Sequence, residues 1–114
     1  MNLKEIQSLV YQEYIKNGYL DMWTFDTNPN TYSKIQRIFD LAEIGLWNTE
    51  TAETQEDTRK HGYPLLLEKW GEECADVIIR VLNFASRKGI DVESEILNKH
   101  QKNLERGKNH GKEI

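Results

Sequence analysis

The sequence predicts an all-α protein built as a four-helix bundle. Apolar residues recur at helical spacing over four segments, and no segment alternates with period two over a useful length. Gly and Pro punctuate the chain between those segments, at Gly18, Pro29, Gly62-Tyr63-Pro64 and Gly89. A length of 114 residues suits one domain. The apolar share is only 38%, against 30% charged residues, which fits a thin bundle or an oligomer better than a thick globule.

The first helix is expected over about Leu3 to Lys16, with Leu3, Ile6, Leu9, Val10 and Tyr14 at helical spacing and Gly18 as its stop. Residues 19–30 mix aromatics with turn formers and end in Asn28-Pro29-Asn30, so an ordered loop is expected there. The second helix is expected from about Thr31 to Lys60, striped by Ile35, Ile38, Phe39, Ala42 and Leu46. Gly62 suits its C′ position, and Pro64 suits the first turn of the next helix. The third, about Pro64 to Lys88, carries the most regular stripe: Leu67, Trp70, Cys74, Val77, Leu82 and Ala85. Asp91 can cap the fourth, which runs to about Arg106, with Glu93 and Glu95 near its positive end. The tail 107–114 is expected to be loose.

Composition excludes several classes of function. A net charge of −4 gives no bulk attraction for a polyanion, so nucleic acid is not an expected partner. Cys74 stands alone, which excludes an intrachain disulfide and a cysteine-based metal cluster. The first residues lack the layout of a signal peptide, and no apolar run approaches a membrane span. A soluble, cytoplasmic protein is expected.

The chemistry-bearing residues are carboxylates. On a helical wheel with Leu46 at zero, Phe39 falls at about +20°, Glu53 at about −20° and Glu50 at about +40°. Glu53 and Glu50 are therefore expected to face the bundle interior. In the third helix, with Val77 at zero, Glu73 lies at about −40° and Asp76 at about −100°, beside Arg80. Residues three apart share a face, so each E-x-x-[ED] pair can converge on one ion. Such hard oxygen ligands suit Mg²⁺ or Mn²⁺. Spacing alone leaves the alternative of solvated faces and intrahelical salt bridges open. None of the three histidines follows a glutamate by three, so the Glu-x-x-His pattern of di-iron bundles is absent.

Glu50-x-x-Glu53, 19 intervening residues, then Glu73-x-x-Asp76 resembles the signature of the MazG-like NTP pyrophosphohydrolases. Glu72-Glu73-Cys74-Ala75-Asp76-Val77-Ile78-Ile79 is similar to that family's acidic helix, and Gly89 to Glu93 to its turn into the last helix. Lys99-x-x-x-Asn103-x-x-Arg106, followed by His110-Gly111-Lys112, resembles the family's C-terminal pattern. The likeness spans about residues 33–112.

The resemblance implies a four-helix fold that associates as a homodimer or homotetramer. It implies Mg²⁺-dependent cleavage of a nucleoside triphosphate between its α- and β-phosphates. Glu50, Glu53, Glu73 and Asp76 match the metal ligands, and Lys99, Asn103 and Arg106 match the phosphate contacts. Glu53, expected to be the most inward of the four, is the candidate for orienting or deprotonating water. Trp47 and Trp23 are candidates for stacking on a base. Trp47 and Asn48 depart from the family's usual residues, and Tyr19 to Asn30 follows none of its patterns. Enzymes preferring dUTP or dCTP, a phosphoribosyl-ATP pyrophosphohydrolase, and a non-catalytic helical interaction or metal-binding module are the alternatives.

Overall fold

The computed structural model describes residues 1–18, 29–62 and 65–107, and the described residues form four α-helices and no strand. The helices are α1 (Leu3–Lys16), α2 (Pro29–Lys60), α3 (Leu65–Arg87) and α4 (Val92–Arg106). The expected loop over 19–30, with Trp23 in it, lies outside the described residues except at its last two positions, which already belong to α2. The loose tail expected beyond 107 and the first-turn role of Pro64 lie outside them as well.

Local signals fix the helix ends. Asn2 and Glu5 form a reciprocal capping box at the start of α1, which the sequence reading did not anticipate. Asp91 caps α4 by accepting a hydrogen bond from the Ser94 amide. Gly18 and Gly89 follow α1 and α3 at φ of 80° and 74°, a region closed to most side chains. Gly62 does not adopt a positive φ, so α2 ends without the left-handed C′ residue expected there.

Helix α3 is the hub. It packs along α2 and against α1, and α4 docks mainly on α1. Gln7, buried in α1, ties three elements together at the α3–α4 turn. Its Nε2 donates to Ser86 Oγ (2.9 Å) and to the Ile90 carbonyl (2.8 Å), and its Oε1 accepts from the Val92 amide (3.2 Å). Replacing it strands two backbone groups. Gln7→Leu is therefore expected to lower Tm by roughly 5–10 °C, read by thermal unfolding.

The faces differ from expectation. In α2 the residues covered by α3 include Glu43, Trp47, Glu50, Thr54 and Asp57, spaced alternately by four and three. That seam lies roughly 80° around the helix from the apolar stripe. Much of the stripe stays open: Ile38 is 68% exposed and Leu46 45%, and Ala42 between them is exposed as well, whereas Ile35 and Phe39 are half-buried. In α3 the seam holds Leu66, Trp70, Glu73, Val77 and Phe84, while Leu67 and Cys74, expected inside, are exposed.

The polar seam is sustained by an ion network at one end. The Arg87 side chain is only 6% exposed and pairs with Asp40 and Glu43, and its Nη1 donates to Gln36 (3.1 Å). Its guanidinium lies 5.1 Å from the Phe39 ring centroid and 5.6 Å from that of Phe84. Tyr14 donates to the other oxygen of Glu43 (2.8 Å), and burial with that bond raises the Tyr14 pKa.

Burial alone would raise the pKa of Asp40, but hydrogen bonds from Lys88 and Arg87 outweigh it and hold the carboxyl below its ordinary value. The unfolded chain therefore takes up this proton first as pH falls. The stabilisation is complete above the usual carboxylate range, about 4, and is lost as pH drops through the lowered value. Below pH of about 4, wild-type stability is expected to fall more steeply than that of Asp40→Asn, measured by urea unfolding at successive pH values.

Candidate metal centre

The middle of the α2–α3 seam brings carboxylates together. Glu50, Glu73 and Asp76 each present an oxygen within 4.8 Å of the others. Heptad-like spacing puts Glu50 on the covered face of α2, and Glu73 occupies the facing row of α3. Asp76, three residues on, shares the Glu73 flank but is exposed.

Glu53 is placed differently from expectation. It is exposed, not inward, because it lies on the side of α2 that carries the open apolar stripe. It stands outside the convergent trio yet near enough to act electrostatically on Glu73.

Two residues enter that the sequence reading did not weigh as part of the site. Asp57, seven residues after Glu50 on the same seam, faces Glu73. Arg80, one turn after Asp76, donates from Nε to Glu50 Oε1 at 3.0 Å. The i, i+7 interval from Glu50 was the available signal for Asp57, and i, i+4 from Asp76 was the signal for Arg80.

The Glu73 carboxyl has its pKa raised, first by desolvation and then by Asp57 and Glu53, with Asp76 adding to it. Its Oε2 is buried without a hydrogen-bond partner. Ionised Glu73 and Asp57 are both pure acceptors, so contact between them calls for a shared proton or a cation. The donor set is oxygen alone, with no His or Cys in the convergent group, which fits a hard divalent cation such as Mg²⁺ or Mn²⁺.

The other expected site residues fall elsewhere. Trp47 is turned onto Phe84, edge to face, at a centroid distance of 5.3 Å. Its ring is engaged in the α2–α3 packing and does not line the cavity beside the carboxylates. Lys99, Asn103 and Arg106 are exposed on α4 and make no ion pair or hydrogen bond with Glu50, Glu53, Glu73 or Asp76. Spacing placed them on one helix face; the docking of α4 on α1 sets where that face goes.

A cavity of about 750 Å³ opens between α1, α2 and α3. Glu50, Asp76 and Arg80 belong to its wall, so it is continuous with the carboxylate cluster, and Phe39, Leu46 and Ile79 make it largely apolar.

Comparison of the chain with protein-family models, with curated protein sequences and with solved structures gave no match. Among the described residues, no helix is long and apolar enough to cross a membrane.

The crowding of negative charge around Glu73 has a measurable consequence. In chelator, Glu73→Gln is expected to raise Tm by a few degrees, because it removes a charge that the folded state disfavours. The same substitution is expected to abolish most of the Tm increase that Mg²⁺ gives the wild type, read by differential scanning fluorimetry with and without the metal.

Proposed function

We propose that this chain is a Mg²⁺-dependent nucleoside triphosphate pyrophosphohydrolase of the MazG-like type, releasing a nucleoside monophosphate and pyrophosphate. The observation that carries the reading is the convergence of Glu50, Glu73 and Asp76 from two helices within 4.8 Å. These are three of the four residues that the sequence resemblance implies as ligands. The buried, unpartnered Oε2 of Glu73 supports the same site from an independent direction. The four-helix, all-α architecture is compatible with it.

Glu50, Glu73 and Asp76 would hold the cation, with Asp57 behind Glu73 to add negative charge. When bound, Mg²⁺ supplies charge neutralisation for the phosphate oxygens. Glu53, near Glu73 but outside the trio, would orient the attacking water and take its proton. Its exposure suits that role better than the inward ligand position first expected of it. Arg80, paired with Glu50 at the cavity wall, puts a cation where a triphosphate would lie.

Lys99, Asn103 and Arg106 remain candidates for the phosphate grip, supplied by a second copy of the chain. Self-association is supported by exposed leucines away from the cavity, with Leu41 on α2 and Leu97 and Leu104 on α4 each 60% exposed or more.

The test is incubation with a panel of (d)NTPs and Mg²⁺, scored for pyrophosphate against orthophosphate. Pyrophosphate with matching nucleoside monophosphate is expected. Glu53→Gln is expected to slow release at least ~100-fold while leaving Tm nearly unchanged. Orthophosphate as the sole product, or full activity in the variant, contradicts the respective assignment.

A further inference from the structure

One buried atom in the cavity wall has no hydrogen-bond partner within the fold. Asn83 lines the cavity from α3, and its Oδ1 is buried without a hydrogen-bond partner. Of the other polar groups on that wall, Tyr14 donates to Glu43 and Glu43 also accepts from Arg87, while Glu13 and Asn17 line the cavity from α1 and its C-terminal end. An acceptor left unsatisfied in an apolar setting is costly, and a ligand N–H removes that cost.

The cavity has the build of a small-molecule site. Its volume of about 750 Å³ lies within the usual range for such pockets, and its exposed wall is mainly apolar, with Glu13, Tyr14, Asn17, Glu43 and Asn83 as the polar side chains away from the carboxylate cluster. One part of the wall carries Glu50, Asp76 and Arg80, which belong to the carboxylate cluster. Asn83 follows Asp76 by seven residues on the same helix, which is two turns, or roughly 10 Å along α3. That separation is comparable with the length of a nucleoside. A triphosphate held at the carboxylates would therefore put the far edge of its base beside Asn83.

We infer that this cavity is the nucleoside subsite, and that Asn83 Oδ1 selects a base carrying an amino group on its far edge, as cytosine does, over one carrying a carbonyl there, as uracil does. The inference rests on the pyrophosphohydrolase reading for the position of the phosphates. An amino N–H satisfies Oδ1. A carbonyl in the same place sets acceptor against acceptor, and both lose hydrogen bonds they had with water.

The test is calorimetric binding of the non-hydrolysable α,β-imido analogues of dCTP and dUTP in Mg²⁺, with Mn²⁺ binding measured alongside. The wild type is expected to bind the dCTP analogue at least ~10-fold tighter. Asn83→Leu is expected to bring the two within ~3-fold, mainly by weakening the dCTP analogue. Ala42→Phe, which puts a ring into the cavity wall, is expected to weaken both analogues at least ~10-fold while Mn²⁺ binding holds.

Several results overturn the inference. A preference for the dUTP analogue would mean that the amide presents its Nδ2 edge instead. Nucleotide binding untouched by Ala42→Phe would put the base elsewhere. A change of oligomeric state in Ala42→Phe, with nucleotide binding intact, would assign the cavity to a second copy of the chain. Pyrophosphate release by the wild type alongside any of these would leave the functional reading standing. No binding of either analogue, and no hydrolysis, would remove both.

Discussion

The packing of α2 on α3 is the constraint on which the rest of the structure depends, and its seam is polar where a bundle seam is usually apolar. Glu43, Trp47, Glu50, Thr54 and Asp57 face Leu66, Trp70, Glu73, Val77 and Phe84 across it. At one end Arg87 and Lys88 together balance Asp40 and Glu43, so the charges there are paired. At the middle, Glu50, Glu73 and Asp76 meet Asp57 with Arg80 as the cation in contact. The two regions are built from the same residue types but differ in balance: one is closed by a nearly inaccessible arginine, the other is left with excess negative charge. A carboxylate oxygen buried without a partner, as on Glu73, works against folding. Their retention in the seam is the physical ground for reading the cluster as a site and not as a support.

The hydroxyl-bearing residues show how α2 can run as a continuous helix through this polar region. Thr49, Thr51, Thr54 and Thr58 each donate to the carbonyl four residues earlier, at 2.8 to 3.0 Å. Their polar groups are thereby satisfied within the helix. Thr58 also accepts from Trp70 Nε1 at 2.9 Å, which fixes the far end of α3 against α2. The carboxylates between these anchors are held in a defined register without needing contacts to one another.

Helix number, order and limits were legible in the sequence because they depend on local chemistry: Gly18, Gly89 and Asp91 act within one turn of where they stand. The faces were less legible. A helical wheel assigns the interior to the richest apolar stripe, and in α2 that stripe runs through Ile38, Ala42 and Leu46, carrying Glu53 with it. Within one chain the interior lies roughly 80° away, because Arg87 and the aromatic rings of Trp47, Phe39 and Phe84 determine which side of α2 meets α3. Glu50 falls between the two faces, so it was placed correctly on either choice, whereas Glu53 and Cys74 were not. Asp57 falls outside any i, i+3 pair with the other carboxylates of the site, since it stands two turns after Glu50. The placement of Lys99, Asn103 and Arg106 depends on how α4 docks on α1, a tertiary matter that spacing does not encode.

The central claim is that excess negative charge in the α2–α3 seam makes a divalent-cation site. Its most direct test is titration of the chain with Mn²⁺, following free Mn²⁺ by electron paramagnetic resonance. The account predicts saturable loss of the free signal that Glu50→Gln weakens by at least ~10-fold and that Glu105→Gln, on the exposed surface of α4, leaves unchanged. Weak, non-saturating binding that responds equally to both substitutions would contradict it.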